Sequence, residues 1–375
     1  MTDEVGPGEG AKVPPVASKK AREKNRTLEI GGVKIAPGQS TSVDLPLAAM
    51  YTHSNVELTV HVINGRRPGP CLFVCAAIHG DELNGVDIIR RLLDYKQLNQ
   101  LRGTLLAIPV VNVHGFLNQS RYLPDGRDLN RSFPGSERGS LAGRVASTFV
   151  RDILKHCTHG IDLHTGARHR SNLPQIRADL SQEETRNLAM QFGTPVVLDA
   201  KLRDGSLRET AADMGIPLLL YEAGEALRFD ELCIRAGARG ILNVMRELKM
   251  LPARKRAPKV HEAVIADDSR WVRAPLSGVM RTRAQLGARV KKGEVLGIIA
   301  DPLGLNESPV LAPDEAIVIG STNLPLVHEG EALFHLASFK RQTGQVANEL
   351  QGFHERFSSQ EEEPFFIGWD DSLEN

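Results

Sequence analysis

The pattern of hydrophobic and polar positions changes along the chain and predicts two kinds of sheet. Between residues 27 and 66, apolar and polar residues alternate, which indicates antiparallel strands with one face in solvent. Residues 71–78 and 105–111 form nearly continuous apolar runs, which are typical of strands buried on both faces. Segments 86–93 and 141–154 carry apolar residues at helical spacing. Buried strands that alternate with amphipathic helices predict a three-layer α/β domain with a mixed sheet.

The regions outside this domain differ from it in amino-acid composition and in the pattern of apolar residues. Residues 1–26 are rich in Gly, Pro and Lys, which predicts a disordered tail. The α/β domain, with its N-terminal β segment, is predicted over residues 27–252 and is followed by a linker rich in Pro and Arg. Short strands with Gly and Pro turns over residues 259–338 predict a small all-β domain of the barrel or sandwich type. Residues 339–375 are polar and acidic and are predicted to form a C-terminal tail.

Composition narrows the class of protein. Lys plus Arg and Asp plus Glu both total 46, so the net charge is zero and gives no overall field that would attract nucleic acid or an anionic membrane. The chain has no signal-like N-terminus and no apolar run of about 18 residues, which predicts a cytoplasmic protein without a membrane segment. The four cysteines lie in apolar surroundings and are predicted to be buried and reduced. Homo-oligomerisation is left open.

Two histidines and a glutamate lie at the ends of predicted strands. His79 and Glu82 are three residues apart directly after the run 71–78, and His164 follows the apolar stretch 161–163. Two His and one Glu with an open fourth position form a catalytic zinc set of the carboxypeptidase type. An isolated HxxE pair is more often on the surface, and a lone strand-end histidine is usually just hydrogen-bonded. The zinc prediction therefore depends on the segments that accompany this set.

Two further segments support a hydrolytic site. Residues 121–135 form a turn-rich loop with three arginines and an asparagine, which suits recognition of a carboxylate, although a salt-bridged surface loop is the alternative. Residues 217–224 place Glu222 at the end of an apolar strand, where a carboxylate is costly to desolvate without a partner or a function. Glu222 is therefore a candidate for the base that takes a proton from water.

Four motifs in this order resemble the succinylglutamate desuccinylase/aspartoacylase family, within the zinc carboxypeptidase superfamily. They are His79-x-x-Glu82, Asp128-Leu129-Asn130-Arg131, Asp162-Leu163-His164-Thr165-Gly166 and Glu222-x-Gly224. The resemblance covers roughly residues 50–337. It implies a carboxypeptidase-like α/β domain with one zinc ion per chain, and a small β domain that closes over the site.

The resemblance also implies roles for single residues. His79, Glu82 and His164 are expected to bind the zinc ion. Glu222 is expected to be the general base, with Glu225 as a competitor that matches the motif less well. Asp162 is expected to support His164 from behind.

The remaining roles concern the substrate. Asn130 and Arg131 are expected to hold its carboxylate, and Arg121 to polarise the scissile carbonyl. Arg127 is a rival to Arg121 and a further candidate for substrate binding.

The C-terminal section resembles biotinyl/lipoyl domains in a second, partial way. The resemblance lies in residues 274–279 and 287–294, which look like the hairpin of those domains. Lys291 and Lys292 fall in an ordinary turn without the flanking residues of a carrier lysine. The section is therefore predicted to be a structural relative that carries no prosthetic group.

Three functions follow from the sequence. The leading one is a zinc-dependent amidohydrolase that removes an acyl group from a small N-acyl amino acid. The second is a zinc carboxypeptidase that acts on peptides or amino-acid tails. The third is a non-catalytic zinc-binding or interaction module, which an assay of hydrolysis would separate from the other two.

Overall fold

The computed structural model of the protein describes residues 24–49, 52–253, 263–339 and 343–358. Most of the predicted N-terminal tail, most of the predicted linker and the last 17 residues of the predicted acidic tail lie outside the described residues.

The elements follow each other in this order. The first half contains β1 (Leu28–Ile30), β2 (Val33–Ile35), β3 (Ser40–Ala49), β4 (Asn55–Asn64), β5 (Arg67–Ala76), α1 (Asn84–Leu93), β6 (Arg102–Ile108), α2 (Val113–Leu117), α3 (Leu141–Asp152), β7 (His159–Gly166), β8 (Arg170–Ala178) and α4 (Glu183–Phe192). The second half contains β9 (Val196–Asp199), α5 (Leu207–Asp213), β10 (Leu218–Glu225), α6 (Glu231–Glu247), β11 (Val264–Ala266), β12 (Asp268–Arg273), β13 (Gly278–Thr282), β14 (Arg289–Val290), β15 (Val295–Ala300), β16 (Glu307–Leu311), β17 (Ala316–Thr322), β18 (Leu326–Val327), β19 (Ala332–Ser338) and α7 (Thr343–Ser358).

One large mixed sheet organises the molecule. Its strands lie in the order β12-β19-β17-β8-β10-β7-β5-β6-β4-β3, and β9 and β11 branch from β8. Neighbours from β10 through β7 and β5 to β6 are parallel, whereas β8 and β4 pair antiparallel to this group. Helices α1, α4 and α6 pack on one face, and α3 and α5 on the other. The predicted three-layer α/β fold with a mixed sheet is confirmed.

The apolar runs of the sequence are the strands at the centre of this sheet. In β5, residues 71–76 are all buried, and in β7 all eight residues are buried. Leu72 and Val74 of β5 face one layer of helices, while Phe73 and Cys75 face the other. Complete burial of a Val, Leu or Phe side chain stabilises a fold by about 1.5–3 kcal/mol. These central strands therefore form a rigid base for the residues at their ends.

The C-terminal region is all β, as predicted, and it continues the large sheet. Strands β16, β15, β13 and β18 form a separate antiparallel sheet over an apolar core that includes Met280, Leu296 and Leu333. Strands β12, β19 and β17 instead extend the main sheet, because β17 pairs antiparallel with β8. The region is thus joined to the α/β layers by backbone hydrogen bonds as well as by the chain itself.

Helix α7 lies in the segment for which the sequence indicated only a polar tail. Among its described side chains, Val346, Leu350, Phe353 and Phe357 are buried, and they recur every three or four positions. Phe353 and Phe357 pack against Ala236 of α6. The apolar spacing is helical, but the polar residues between these positions hid it.

The described helices are amphipathic or short. The 17-residue α6, for example, buries one face and exposes the other. None of the described helices is both long and apolar enough to cross a lipid bilayer. The four cysteines are buried and free, as predicted, and burial raises the pKa of Cys75 and Cys157 well above the ordinary value.

Gly240 of α6 offers a test of how tightly the helices pack on the sheet. A Cβ atom at this position would lie 2.0 Å from Cε1 of Phe192 in α4. Replacement of glycine by alanine inside a helix normally stabilises it by about 1 kcal/mol. Here we expect Gly240→Ala to destabilise the protein instead, because overpacking costs about 1–3 kcal/mol. Thermal unfolding should show Tm lowered by roughly 2–8 °C.

A matched control is Gly143→Ala in α3. The nearest atom to a Cβ there is Oγ of Ser140 at 3.4 Å, an ordinary van der Waals distance. This variant should unfold at or above the Tm of the wild type. Equal Tm values for the two variants would contradict the tight packing of α6 on Phe192.

Candidate functional site

The parallel strands β10, β7 and β5 end at the same edge of the sheet, and three candidate residues lie there. His164 lies near the C-terminal end of β7, and Glu222 of β10 is its partner in the strand register. Partners in a register project from the same face of a sheet. His79 follows β5, the other neighbour of β7. The topology thus brings residues far apart in sequence to one crevice, where α/β folds commonly bind ligands.

His79, Glu82 and His164 form a compact cluster. Nδ1 of His79 is 2.7 Å from Oε1 of Glu82, and Nδ1 of His164 is 2.8 Å from Oε2. The two Nδ1 atoms are 3.3 Å apart, and all three side chains are buried. One possible ligand atom from each residue lies within 4.8 Å of the others. Two imidazoles and a carboxylate that converge on one point are a donor set that fits zinc.

A carboxylate contacts the Nε2 atom of each histidine, on the side of the ring away from Glu82. Nε2 of His164 is 2.7 Å from Oδ2 of Asp162, and Nε2 of His79 is 3.2 Å from Oδ1 of Asp128. Such contacts fix the ring orientation and raise the basicity of a histidine ligand. The structure places Asp162 where the sequence indicated. Asp128 stands in one of the recognised motifs, but its contact with His79 was not predicted because it spans 49 residues.

The charges at this cluster favour a cation. Burial lowers the pKa of His164, but the carboxylates of Asp162 and Glu82 outweigh it, so that the pKa lies well above its ordinary value. Burial raises the pKa of Glu82, but the two histidines outweigh this effect and bring it below the ordinary value. Asp128 has a lowered pKa for a similar reason. Burial raises this pKa, but His79 and Arg121 outweigh burial and bring it below the ordinary value. With neutral imidazoles, the form that binds a metal, the three carboxylates exceed the single positive charge of Arg121 and leave negative charge at the convergence point.

Arg121, but not Arg127, lies beside the cluster. Nη2 of Arg121 donates to Oδ2 of Asp128 at 2.9 Å, and Nη1 is 3.5 Å from Oε1 of Glu82. The side chain of Arg127 is 63% exposed, and its nearest carboxylate, that of Asp125, is 3.9 Å away. Of the two rivals, Arg121 is the arginine that could reach a carbonyl group next to the cluster.

Asn130 and Arg131 lie on the same loop and are held by a second loop. Oδ1 of the buried Asn130 accepts from the backbone N of Leu207 at 3.0 Å. Gly205 packs on the backbone of Arg131, where a Cβ would lie 2.6 Å from the carbonyl oxygen. The guanidinium of Arg131 contacts the backbone oxygen of Asn130 and is otherwise exposed. The backbone of Arg131 is thus held in place by its neighbours, while its exposed side chain can bind a solute.

The two competing glutamates have different surroundings. Oε2 of Glu222 accepts from Nδ2 of Asn172 at 2.5 Å and lies 3.4 Å from Nη2 of Arg177. Neither Asn172 nor Arg177 was singled out from the sequence. Both lie on β8, whose Pro174 and polar residues did not indicate a central strand.

Glu225 makes structural contacts instead. Oε1 accepts from the backbone N of His169 at 3.0 Å, and Oε2 accepts from Nδ2 of Asn323 at 2.9 Å. Asn323 belongs to the C-terminal β region. Glu225 therefore links the α/β region to the C-terminal β region through hydrogen bonds. Glu222 is the carboxylate that lies beside His164.

Comparison with known proteins gives concordant results. Residues 68–248 match the family described as the succinylglutamate desuccinylase/aspartoacylase catalytic domain. N-alpha-acetyl-L-2,4-diaminobutyric acid deacetylase from Halomonas elongata is 26% identical over 255 residues, which cover 65% of this chain and 75% of that protein.

Two solved structures share the fold. The product-bound ectoine utilization protein EutE (DoeB) from Ruegeria pomeroyi has a TM-score of 0.71 at 24% identity and covers 80% of this chain and 95% of its own. An aspartoacylase family protein from Mesorhizobium loti has a TM-score of 0.71 at 22% identity and covers 84% and 98% of the two chains. Both likenesses cover a larger share of this chain than the family match over residues 68–248.

Proposed function

We propose that the chain, whose residues 68–248 match the succinylglutamate desuccinylase/aspartoacylase catalytic domain, is a zinc-dependent amidohydrolase that removes the acyl group from an N-acyl amino acid. The observation that carries the proposal is the convergence of His79, Glu82 and His164 next to Glu222. A metal set and a carboxylate at adjacent strand ends are what hydrolysis of an amide by activated water requires.

His79, Glu82 and His164 would hold the zinc ion. The fit rests on their converging donor atoms and on the carboxylates of Asp162 and Asp128 behind the two rings. When bound, zinc polarises a carbonyl oxygen and lowers the pKa of water.

Glu222 would act as the general base. Both of its contacts in the described residues are made by Oε2, so Oε1 is available to accept a proton. Asn172 and Arg177 fix the carboxylate, which limits the reorganisation needed when the proton moves. Glu222 could then return this proton to the nitrogen of the departing amine.

The arginines would bind and polarise the substrate. Arg121 lies close enough to Glu82 to reach the carbonyl oxygen of the scissile amide and to stabilise negative charge that develops there. Arg131 would pair with the carboxylate of the amino acid through two parallel hydrogen bonds. Asn130 supports this indirectly, because its side chain holds the loop at Leu207.

The test is an assay of amine release by the zinc-loaded protein from N-acetyl, N-succinyl and γ-glutamyl amino acids, with dipeptides assayed alongside them. The proposal predicts hydrolysis of at least one N-acyl series and little hydrolysis of the dipeptides. Hydrolysis of the dipeptides alone would favour a carboxypeptidase. Zinc binding without hydrolysis of any of these amides would favour a non-catalytic module.

Arg131→Ala tests the substrate carboxylate. Loss of a bidentate, charge-assisted pair should raise KM about tenfold or more and change kcat by less than about threefold, because the contact is made in ground and transition state alike. Steady-state kinetics with the best substrate of the panel would measure both constants. Arg127→Ala is the matched control and should leave KM unchanged, because that side chain points to solvent. A lowered kcat with normal KM in Arg131→Ala would contradict this role.

A further inference from the structure

Strand β10 is irregular directly after Glu222. Glu222 is paired with both neighbouring strands, β7 and β8, but both registers shift before the next paired residue of β10. Ala223 has no register partner in either of these strands and forms a bulge, and Gly224 follows with a φ of 76°. Bulges re-aim side chains and are common next to active sites. The direction of Glu222 therefore depends on how the backbone at Ala223 is held.

The side chain of Asn84 holds this bulge. Asn84 is the first residue of α1 and is buried. Its Nδ2 donates to the carbonyl oxygen of Ala223 at 3.1 Å, and its Oδ1 accepts from the backbone N of Asp230 at 3.0 Å. One amide group thus binds the backbone at both ends of the loop between β10 and α6.

The strand end is shaped to admit this amide. A Cβ atom at Gly224 would lie 2.6 Å from Nδ2 of Asn84, so a side chain there would displace the amide. A further hydrogen bond joins the same two parts of the chain, because the backbone N of Leu227 donates to the carbonyl oxygen of Asp81 at 2.8 Å. The contact between them is therefore close and is made at several points.

The two joined segments, 79–84 and 222–230, carry the groups of the candidate site. The first contains two of the three clustered residues, and the second begins with Glu222. An amide suits the link because it donates at one end and accepts at the other without a charge. Both polar atoms of Asn84 are satisfied although the residue is buried. Asn84 thus sets the spacing between Glu82 and Glu222.

We propose that Asn84 is a positioning residue that fixes the carboxylate of Glu222 relative to Glu82 by holding the bulge. The inference rests on the proposed function, which makes Glu222 the general base. A misplacement of about 1 Å in a catalytic group can cost on the order of a hundredfold in rate. Glu82 accepts from the backbone N of Thr165 at 3.1 Å, a contact that Asn84 does not touch, so the metal set should survive its loss.

Asn84→Ala should lower kcat about tenfold to a hundredfold, with KM within about threefold of the wild type and the same zinc content. The matched control is Asn64→Ala. Asn64 is equally buried, but its Nδ2 donates to the carbonyl oxygen of Ile35 at 2.9 Å, and it lies beside the beginning of β6, at the opposite edge of the sheet. Both variants should lower Tm, and only Asn84→Ala should lower kcat. An equal loss of kcat in the two would overturn the positioning role.

A second variant covers the case in which Asn84→Ala does not fold. Asn84→Asp keeps the shape of the side chain and the bond from Asp230, but it places an oxygen against the carbonyl oxygen of Ala223. It should show the same selective loss of kcat. A wild-type kcat in this variant would contradict the hold on the bulge.

A double-variant cycle tests whether Asn84 acts through Glu222. In the Glu222→Gln background, Asn84→Ala should lower the remaining kcat by less than about threefold, because the group that it positions is already inactive. The same loss in both backgrounds would show that Asn84 acts elsewhere.

Hydrogen exchange provides a readout that needs no turnover. In the zinc-loaded protein, backbone amides within residues 218–230 should exchange at least about tenfold faster in Asn84→Ala than in the wild type, and at the wild-type rate in Asn64→Ala. Unchanged exchange in Asn84→Ala with an inactive Glu222→Gln would refute only the role of Asn84. A fully active Glu222→Gln would instead refute the general base, and with it the proposed mechanism.

Discussion

Glu222→Gln is expected to retain the metal and the fold but to lower kcat by at least about a hundredfold. Glutamine keeps the shape of the side chain and can still accept from Asn172 through its amide oxygen. It cannot take up a proton, so the loss should fall on the chemical step and leave KM nearly unchanged. Single-turnover kinetics and metal analysis on the same preparation would measure both quantities.

Glu225→Gln is the matched control for this experiment. Glu225 is three residues away and also lies at the strand end, but it binds His169 and Asn323. Its replacement should lower the free energy of unfolding by a modest amount and leave kcat within a few-fold of the wild type. If Glu225→Gln were inactive and Glu222→Gln active, the base would be assigned to the wrong residue. If both were active, a base at this strand end would have to be abandoned.

His164→Ala is expected to remove zinc and nearly all activity. Metal catalysis supplies several kcal/mol of transition-state stabilisation, so its loss should lower kcat/KM by about a thousandfold or more. Purified wild type should contain about one zinc per chain, and the variant much less. Circular dichroism would show whether the sheet survives, since the substitution also removes a partner of Asp162 and Glu82.

Asp162→Asn should have a metal affinity between that of the wild type and that of His164→Ala if zinc binds where we propose. It leaves the three ligands in place and weakens only the support of His164, so metal affinity should fall about tenfold to a hundredfold. A wild-type protein free of zinc after purification without chelator would refute the metal centre itself.

The sequence predicted the centre of the fold and the cluster of His79, Glu82 and His164 for the same reason. Strands buried on both faces appear as uninterrupted apolar runs, and the ends of parallel strands meet at one edge. His79 and His164 follow such runs directly, so their approach to 3.3 Å could be expected from local patterns. The sequence favoured Arg121 over Arg127 only through the family resemblance, because the local pattern does not show that Arg121 pairs with Asp128.

Strand β8 shows why the sequence did not indicate Asn172 and Arg177 as site residues. It carries Asn172, Pro174, Gln175 and Arg177, a composition that does not indicate a central strand. A shift in register between Gln175 and Asn172 lets both side chains face the same side as Glu222. Polar residues there are tolerated because they border the crevice, so a strand beside the site has a pattern that is not typical of strands.

The pairing of β17 with β8 has a consequence for protein engineering. Gly320, Ser321 and Thr322 cover the edge of β8 at residues 170–172, beside the strand that carries Glu222. A truncated enzyme that ended near residue 250 would expose this edge, and unpaired strand edges promote aggregation. We therefore expect the segment 68–248 that carries the family resemblance to aggregate when it is excised, and minimised or chimeric versions of this enzyme should keep the strands that follow it.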